Sequence, residues 1–269
     1  MDTVTTFSTP EEGARAVALL DRLGVEYRLI SPAPAYARVG VPALVVSAPA
    51  RSAFLEGGGH DIVTAGWVEY REPAGCVPGD TPREFAEDVL GRVAVVVLAA
   101  CIADPSRLRL IAHFAGDAAE VLPYLNTELP QGSYVPASPV FTYMDGRRMV
   151  SLFRDRVAIA KVDDIVDVWA SLERVRCLVG DVWARRSEVT PSFQTRRRPP
   201  ALEIYRRLPQ TNCGECGEAG CTAFAWAVWR GDADPRLCGP VFGGDRGDLR
   251  DALVAVCAGL GVVAPDADD

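Results

Sequence analysis

Four cysteines in the last third of the chain, Cys213, Cys216, Cys221 and Cys238, follow the spacing C-x2-C-x4-C-x16-C and constrain the fold more than any other feature. Three thiols this close together force a tight loop. Gly214, Gly217 and Gly220 give that loop backbone freedom and let amides approach a central charge without Cβ clashes. Packing alone is a poor reason for three thiols in a glycine-rich loop. Cys221 opens a predicted helix to about Arg230, its sulfur on the stripe of Phe224, Ala225 and Val228, with the positive helix end beside the anionic centre. Gly231 and Pro235 then break the helix, Cys238 returns as the fourth thiolate, and Gly239-Pro240 turns the chain away. The pattern predicts one metal centre ligated by Cys213, Cys216, Cys221 and Cys238.

Two identities accept four thiolates. A structural zinc site typically pairs two C-x2-C-like knuckles, whereas here the second pair is split by 16 residues, so the spacing favours an iron–sulfur cluster over zinc. Eight cysteines in a chain of 269 residues suit metal ligands and buried thiols if the compartment is the reducing cytoplasm. That compartment is expected, because MDTVTTFSTPEEGARA has neither a basic nor an apolar signal-peptide region. The longest apolar run, Val93 to Ala103, falls well short of the ~20 residues a membrane-spanning helix needs. A net charge of −8 argues against nucleic acid and anionic lipid as partners.

Upstream, the pattern predicts an α+β chain of three modules. These are a small α/β module over 1–72, a β-meander with a long helix over 82–188, and a helical cluster-binding module over 200–269. In the first, Thr9 is placed to cap a helix from Pro10 that stops at Gly24, with Glu11 and Glu12 at its positive end. Strands are predicted over 25–30 and 41–47, and EPAGCVPGDTP, 72–82, is predicted to be a linker.

The second module is predicted to begin with an acidic helix, PREFAEDVLGR, followed by an apolar run over 93–103 that periodicity assigns to neither strand nor helix. Residues 107–114 alternate cleanly, with Leu108, Leu110, Ala112 and Phe114 on one face, which predicts a half-buried strand. VFTYM, a type I′ turn at Asp145-Gly146, RRMVSLF and RVAIAK predict a three-stranded meander. A helix from Asp164 to about Ser187 carries Ile165, Val168, Trp169, Leu172, Val175, Val179, Val182 and Trp183 on one stripe able to cover that sheet. Residues 189–200 are predicted to form an extended tether whose Arg196, Arg197 and Arg198 either dock a partner or are simply solvated, and the acidic end APDADD to fray.

The segment from about Leu202 to Pro240 resembles the four-cysteine [4Fe-4S] domain family. That family is found in the large subunit of the corrinoid iron–sulfur protein of acetyl-CoA synthesis and in the cluster-bearing subunit of membrane electron-transport complexes. The resemblance rests on LPQTNCGECGEAGC, TAFAWAVWRG and LCGP. It implies one [4Fe-4S] cluster on Cys213, Cys216, Cys221 and Cys238, and a larger redox system as partner, a corrinoid enzyme included. The chain departs from the family at Gly239, which stands between Cys238 and Pro240 where proline often follows the fourth cysteine directly. Phe7 to about Tyr70 is similar to a small domain family described as a sulfur or selenium carrier. Its cysteine after the second strand is missing from YARVGVPALVV, so no carrier chemistry is implied. The middle module resembles segments that accompany this cluster domain in uncharacterised iron–sulfur proteins, which adds no activity.

A fully ligated cluster with no substrate site predicts one-electron transfer with a redox protein partner rather than catalysis. The alternative is a binding or assembly factor in which zinc or a cluster is a structural staple. The other cysteines are weaker candidates. Cys257 lies on the apolar stripe of a final helix and is predicted to be core, Cys177 lies opposite the stripe of the long helix and is a minor redox candidate, and Cys76 and Cys101 have no cysteine or histidine neighbours. His60 and His113 likewise have no spaced partner. LAACIADPSRLRLIAHF resembles the opening of an arsenical-type winged-helix repressor, but the acidic GDAAEVLPYLNTELP after it cannot serve as a recognition helix.

Overall fold

The computed structural model describes residues 1–73, 81–243, 247–260 and 262. Its elements run β1 (Asp2–Thr5), α1 (Pro10–Leu23), β2 (Arg28–Ile30), β3 (Ala43–Ser47), α2 (Ala48–Glu56), β4 (Val68–Glu69), β5 (Val93–Ala100), β6 (Leu108–Phe114) and α3 (Leu122–Glu128). They continue through β7 (Ser133–Val135), β8 (Val140–Asp145), β9 (Arg148–Phe153), β10 (Arg156–Val162), α4 (Ile165–Ala184), α5 (Ala201–Tyr205), α6 (Cys221–Trp229), α7 (Gly239–Phe242) and α8 (Gly247–Gly259). The architecture is α+β, with one four-stranded and one six-stranded sheet. Most of the linker 72–82, including Cys76, and the acidic end 264–269 lie outside the described residues. Among the described residues no helix is long and apolar enough to cross a membrane.

The chain divides into two compact units, Met1–Tyr124 with Leu152–Thr190, and Leu125–Ser151 with the residues from Pro191 onward. In the first unit α1 forms as its caps predict. The Thr9 hydroxyl accepts the Glu12 N–H at 3.3 Å, and Gly24 ends the helix at φ 64°. The small sheet has the antiparallel order β2-β3-β1-β4, and Phe7, Leu20, Leu44, Val46 and Phe54 fill its core. Sequence reading missed β1, although Val4 and its three flanking threonines suit a strand, and it missed α2, capped by the Ser47 hydroxyl accepting from the Ala50 N–H. The strands predicted over 25–30 and 41–47 shrink to β2 and β3.

The ambiguous apolar run becomes β5, paired antiparallel with β6, which pairs in turn with β10. The predicted alternation of β6 holds: Leu108, Leu110, Ala112 and Phe114 are buried and His113 is exposed. The long helix is α4, capped by Asp164, which accepts from the Val166 and Asp167 amides, and its stripe is buried except for a half-buried Trp183.

The acidic helix predicted for PREFAEDVLGR does not form. Its side chains instead clamp an irregular segment along α4 and its neighbours: Glu84 pairs with Arg38, and Glu87 accepts from Trp183 Nε1 and Arg186. Phe85 fills the notch at Gly180, where a Cβ would stand 2.6 Å from its ring. These tertiary partners outweigh a weak local propensity.

In the second unit β7 pairs antiparallel with β8, and the chain turns at Gly146-Arg147 into β9. A type I′ turn needs positive φ at both central positions, but here only Gly146 has it, at 58°, so the predicted turn type is corrected. The stretch 189–200 is irregular, as predicted, but two of its arginines are docked and not solvated. Arg196 bridges to Tyr134 through paired backbone bonds and donates to the Asn126 carbonyl at 2.6 Å. Arg198 lies 4.2 Å from the Trp229 ring centroid and donates to the Trp229 carbonyl. Stacking and carbonyl acceptors hold these two guanidinium groups in place of a partner.

Candidate metal centre

The cysteine module is built from short helices round one core, in which Ile204, Leu208, Cys221, Phe224, Val228, Cys238, Val241, Leu253 and Cys257 are all buried. The ligand loop approaches this core through a series of residues in left-handed conformations: Gln210 at φ 58°, Asn212 at 52°, Gly214 at 77° and Gly217 at 85°. Such reversals let the chain wrap tightly within a few residues. Gly217 N–H donates to the Gly214 carbonyl at 2.9 Å and closes the turn between the first two cysteines. The loop ends at Gly220, and Cys221 starts α6 as predicted, with the helix running to Trp229.

The fourth cysteine arrives on a different support. Asp234 caps a 3₁₀ turn at Pro235–Leu237, Cys238 N–H donates to the Pro235 carbonyl, and the Cys238 carbonyl accepts from the Val241 and Phe242 amides. At the departure, Gly239, a Cβ would stand 2.5 Å from the Glu215 carboxylate, whose flexible side chain can move aside.

The four thiols differ in exposure. Cys213 is exposed and Cys216 half-buried, whereas Cys221 and Cys238 are 7% and 5% exposed. Burial pushes the Cys238 thiol up, the Val241 amide bonded to it opposes that, and Cys221, Cys216 and Cys213 each push it up further. The Cys238 thiol therefore feels the charge of the other three. Among the described residues no three His, Cys, Asp or Glu side chains are gathered into a metal-binding arrangement. The fit to a tetrathiolate centre accordingly rests on donor type and on the core that Cys221 and Cys238 share with Cys216 packed against it, and not on preset ligand distances. Four soft donors in that setting match the chemistry of an iron–sulfur centre.

The remaining thiols differ. Cys257 is fully buried, as predicted, and burial, then Asp234, pushes it up to about 12. Cys177 is half-buried and donates to Glu173 at 3.4 Å; burial, then Glu173, pushes it up to about 11, which removes the thiolate a redox role requires. Cys101 is buried. His60 is an exposed side chain beside Asp61. Sequence reading missed Asn212, whose side-chain oxygen accepts the Cys221 N–H at 2.9 Å; its only signal is its position directly before the first cysteine.

Beside the loop, Pro200, Leu202, Tyr205, Thr222 and Trp226 line an apolar cavity of about 370 Å³, and Trp226 is 50% exposed. Thr222 places this surface next to Cys221.

Residues 208–240 match the family model described as "Putative Fe-S cluster", which supports an iron–sulfur cofactor for this segment. The chain is 55% identical over 40 residues to the gamma 2 subunit of the acetyl-CoA decarbonylase/synthase complex of Methanosarcina thermophila, covering 15% of this chain and 8% of that one. It is 44% identical over 55 residues to a subunit of the ion-translocating oxidoreductase complex of Thiobacillus denitrificans, covering 20% and 28%. To the corrinoid/iron-sulfur protein large subunit of Moorella thermoacetica it is 51% identical over 37 residues, covering 14% and 8%. The similarity thus spans less than a third of each of these relatives. No solved structure matches the chain.

Proposed function

We propose that the chain binds one [4Fe-4S] cluster through Cys213, Cys216, Cys221 and Cys238 and exchanges single electrons with a larger redox protein in the cytoplasm. The observation that carries this reading is that Cys221 and Cys238 are buried in one core against which Cys216 packs, while Cys213 stands at the exposed loop. When bound, the cluster supplies a one-electron couple whose potential depends on charge, sulfur hydrogen bonds and exposure. The chain bears on the last two of these: the Val241 amide bonds the Cys238 sulfur, Cys221 and Cys238 are shielded from water, and Cys213 reaches the surface.

The exposed side is where a partner would approach, with the apolar surface round Trp226 next to the loop. The relatives named as subunits of oxidoreductase and corrinoid complexes make a multi-subunit redox enzyme the partner class, a corrinoid enzyme among them. Anaerobic expression followed by iron and sulfide analysis, with EPR before and after dithionite, tests the reading on wild type and C221S. About four iron and four sulfide per chain, with a reduction-dependent signal altered in C221S, is the expected result. Stoichiometric zinc with neither sulfide nor signal would sink it.

One observation favours a second reading, a structural staple. Cys221 and Cys238 belong to the hydrophobic core of their module, so a metal there also ties the core together. A staple is redox-silent, whereas an electron carrier bleaches reversibly on reduction while it stays folded.

A further inference from the structure

We propose that Asn212 is a positioning residue that couples the first ligand of the cysteine site to the third. The inference rests on the cluster reading above. Asn212 directly precedes Cys213 and sits at φ 52°, a region that asparagine tolerates better than most side chains. This turn folds its side chain back toward α6, where Oδ1 accepts the Cys221 N–H at 2.9 Å. The first amides of a helix have no intrahelical acceptor, and the residue before α6, Gly220, has no side chain to offer one. The cap that a neighbour usually supplies therefore comes from the far end of the ligand loop.

Gly220 is the complement of this arrangement. A Cβ at Gly220 would stand 2.9 Å from Asn212 Oδ1 and 3.4 Å from its Cγ. Any side chain there pushes the carboxamide away from the amide it caps. Gly220 itself is extended, at φ 168°, so its backbone does not demand glycine; the room for Asn212 does. The backbones that carry Cys213 and Cys221 are thereby held in one register, and the loop between them cannot open without breaking this bond.

The test uses the full chain, reconstituted anaerobically with iron and sulfide, as wild type, N212A, N212G, N212D and G220A. Iron release into an iron(II) chelator is followed together with the reduced-state EPR spectrum. N212A and N212G are expected to release iron about tenfold faster than wild type, N212D, which keeps an acceptor, to stay within about twofold, and G220A to behave like N212A. The EPR signal shifts in N212A and not in N212D. N212G matching wild type would overturn the proposal, because backbone conformation alone would then explain the asparagine. N212A or G220A matching wild type overturns it too.

Failure of the cluster reading looks different, since wild type itself would then take up neither iron nor sulfide. In that case hydrogen exchange at the Cys221 amide decides: faster exchange in N212A than in N212D upholds the coupling, and equal exchange overturns it.

Discussion

The sheet region of residues 1–73 and the cysteine module from Ala201 onward reach a buried core by opposite routes. In the first, regular structure does the work. Four antiparallel strands and two helices enclose Phe7, Leu20, Leu44 and Phe54, and each helix is capped by the residue directly before it, Thr9 or Ser47. In the second, α5 and α7 are only one turn or so long, the loop holds several residues at positive φ, and three cysteines stand in the core. Helices this short contribute little stability of their own, and a module this small usually needs a staple. On the proposed reading, one region folds on apolar burial and the other is completed by ligand chemistry.

Removing the metal is the largest way to break that contrast. A structural metal bound by four thiolates contributes on the order of 10 kcal/mol at neutral pH. Chelation, or C221S, is expected to expose the segment 201–243 to limited proteolysis while the strands keep their far-UV signal and their resistance. Equal loss of protection in both regions, mapped by mass spectrometry of the fragments, would remove the distinction. Acid weakens the site in the same direction. Burial raises the Cys238 thiol, so ligation must displace its proton, and metal retention falls as pH is lowered.

How much of each region was legible follows from the same difference. The caps of α1, the alternation of β6 and the stripe of α4 are local patterns, and each element formed where its pattern lay. The acidic helix over 82–92 was misread because Arg38, Trp183, Arg186 and Gly180, all remote in sequence, decide that segment's course. In the tether, Arg196 and Arg198 were misread for a similar reason: they find carbonyls and a Trp ring that no local window contains. At the candidate site, the cysteine types and spacing are visible in the sequence. The role of Asn212 is not, because it depends on a close approach to Gly220 and the Cys221 amide across the loop.

The reciprocal perturbation sharpens the comparison. Phe54 is fully buried, with its ring 5.9 Å from that of Trp67 in an edge-on contact, so F54A is expected to cost about 3–5 kcal/mol in the sheet region. Iron and sulfide content should stay at the wild-type level, and a parallel loss of both would show that the two regions do not fold separately. A smaller effect follows at Gly180. An added methyl group would meet the Phe85 ring at 2.6 Å, so G180A is expected to cost about 1–3 kcal/mol by equilibrium denaturation, and the double variant G180A/F85A less than the sum of the single ones.

The smallest effect concerns the core thiol that is not a ligand. Burial, then Asp234, holds Cys257 at about 12 against an ordinary value of 9.0, and Arg207 opposes the shift. The folded value is the higher one, so this thiol's contribution to stability is fully present below pH 9 and is lost as pH rises toward 12. The unfolded chain then releases a proton that the folded chain retains. By pH 10 the loss amounts to about 1 kcal/mol. The C257A variant, which has no thiol to ionise, should show a flatter fall in stability between pH 8 and pH 10, whatever its stability at neutral pH. In the metal-loaded protein the four ligand cysteines are already deprotonated and add nothing of this sign, so the difference in slope isolates Cys257. Identical slopes for C257A and wild type would mean that Cys257 ionises as readily in the folded chain as in the unfolded one, and the core of the cysteine module would then be wetter than the fully buried position of this residue implies.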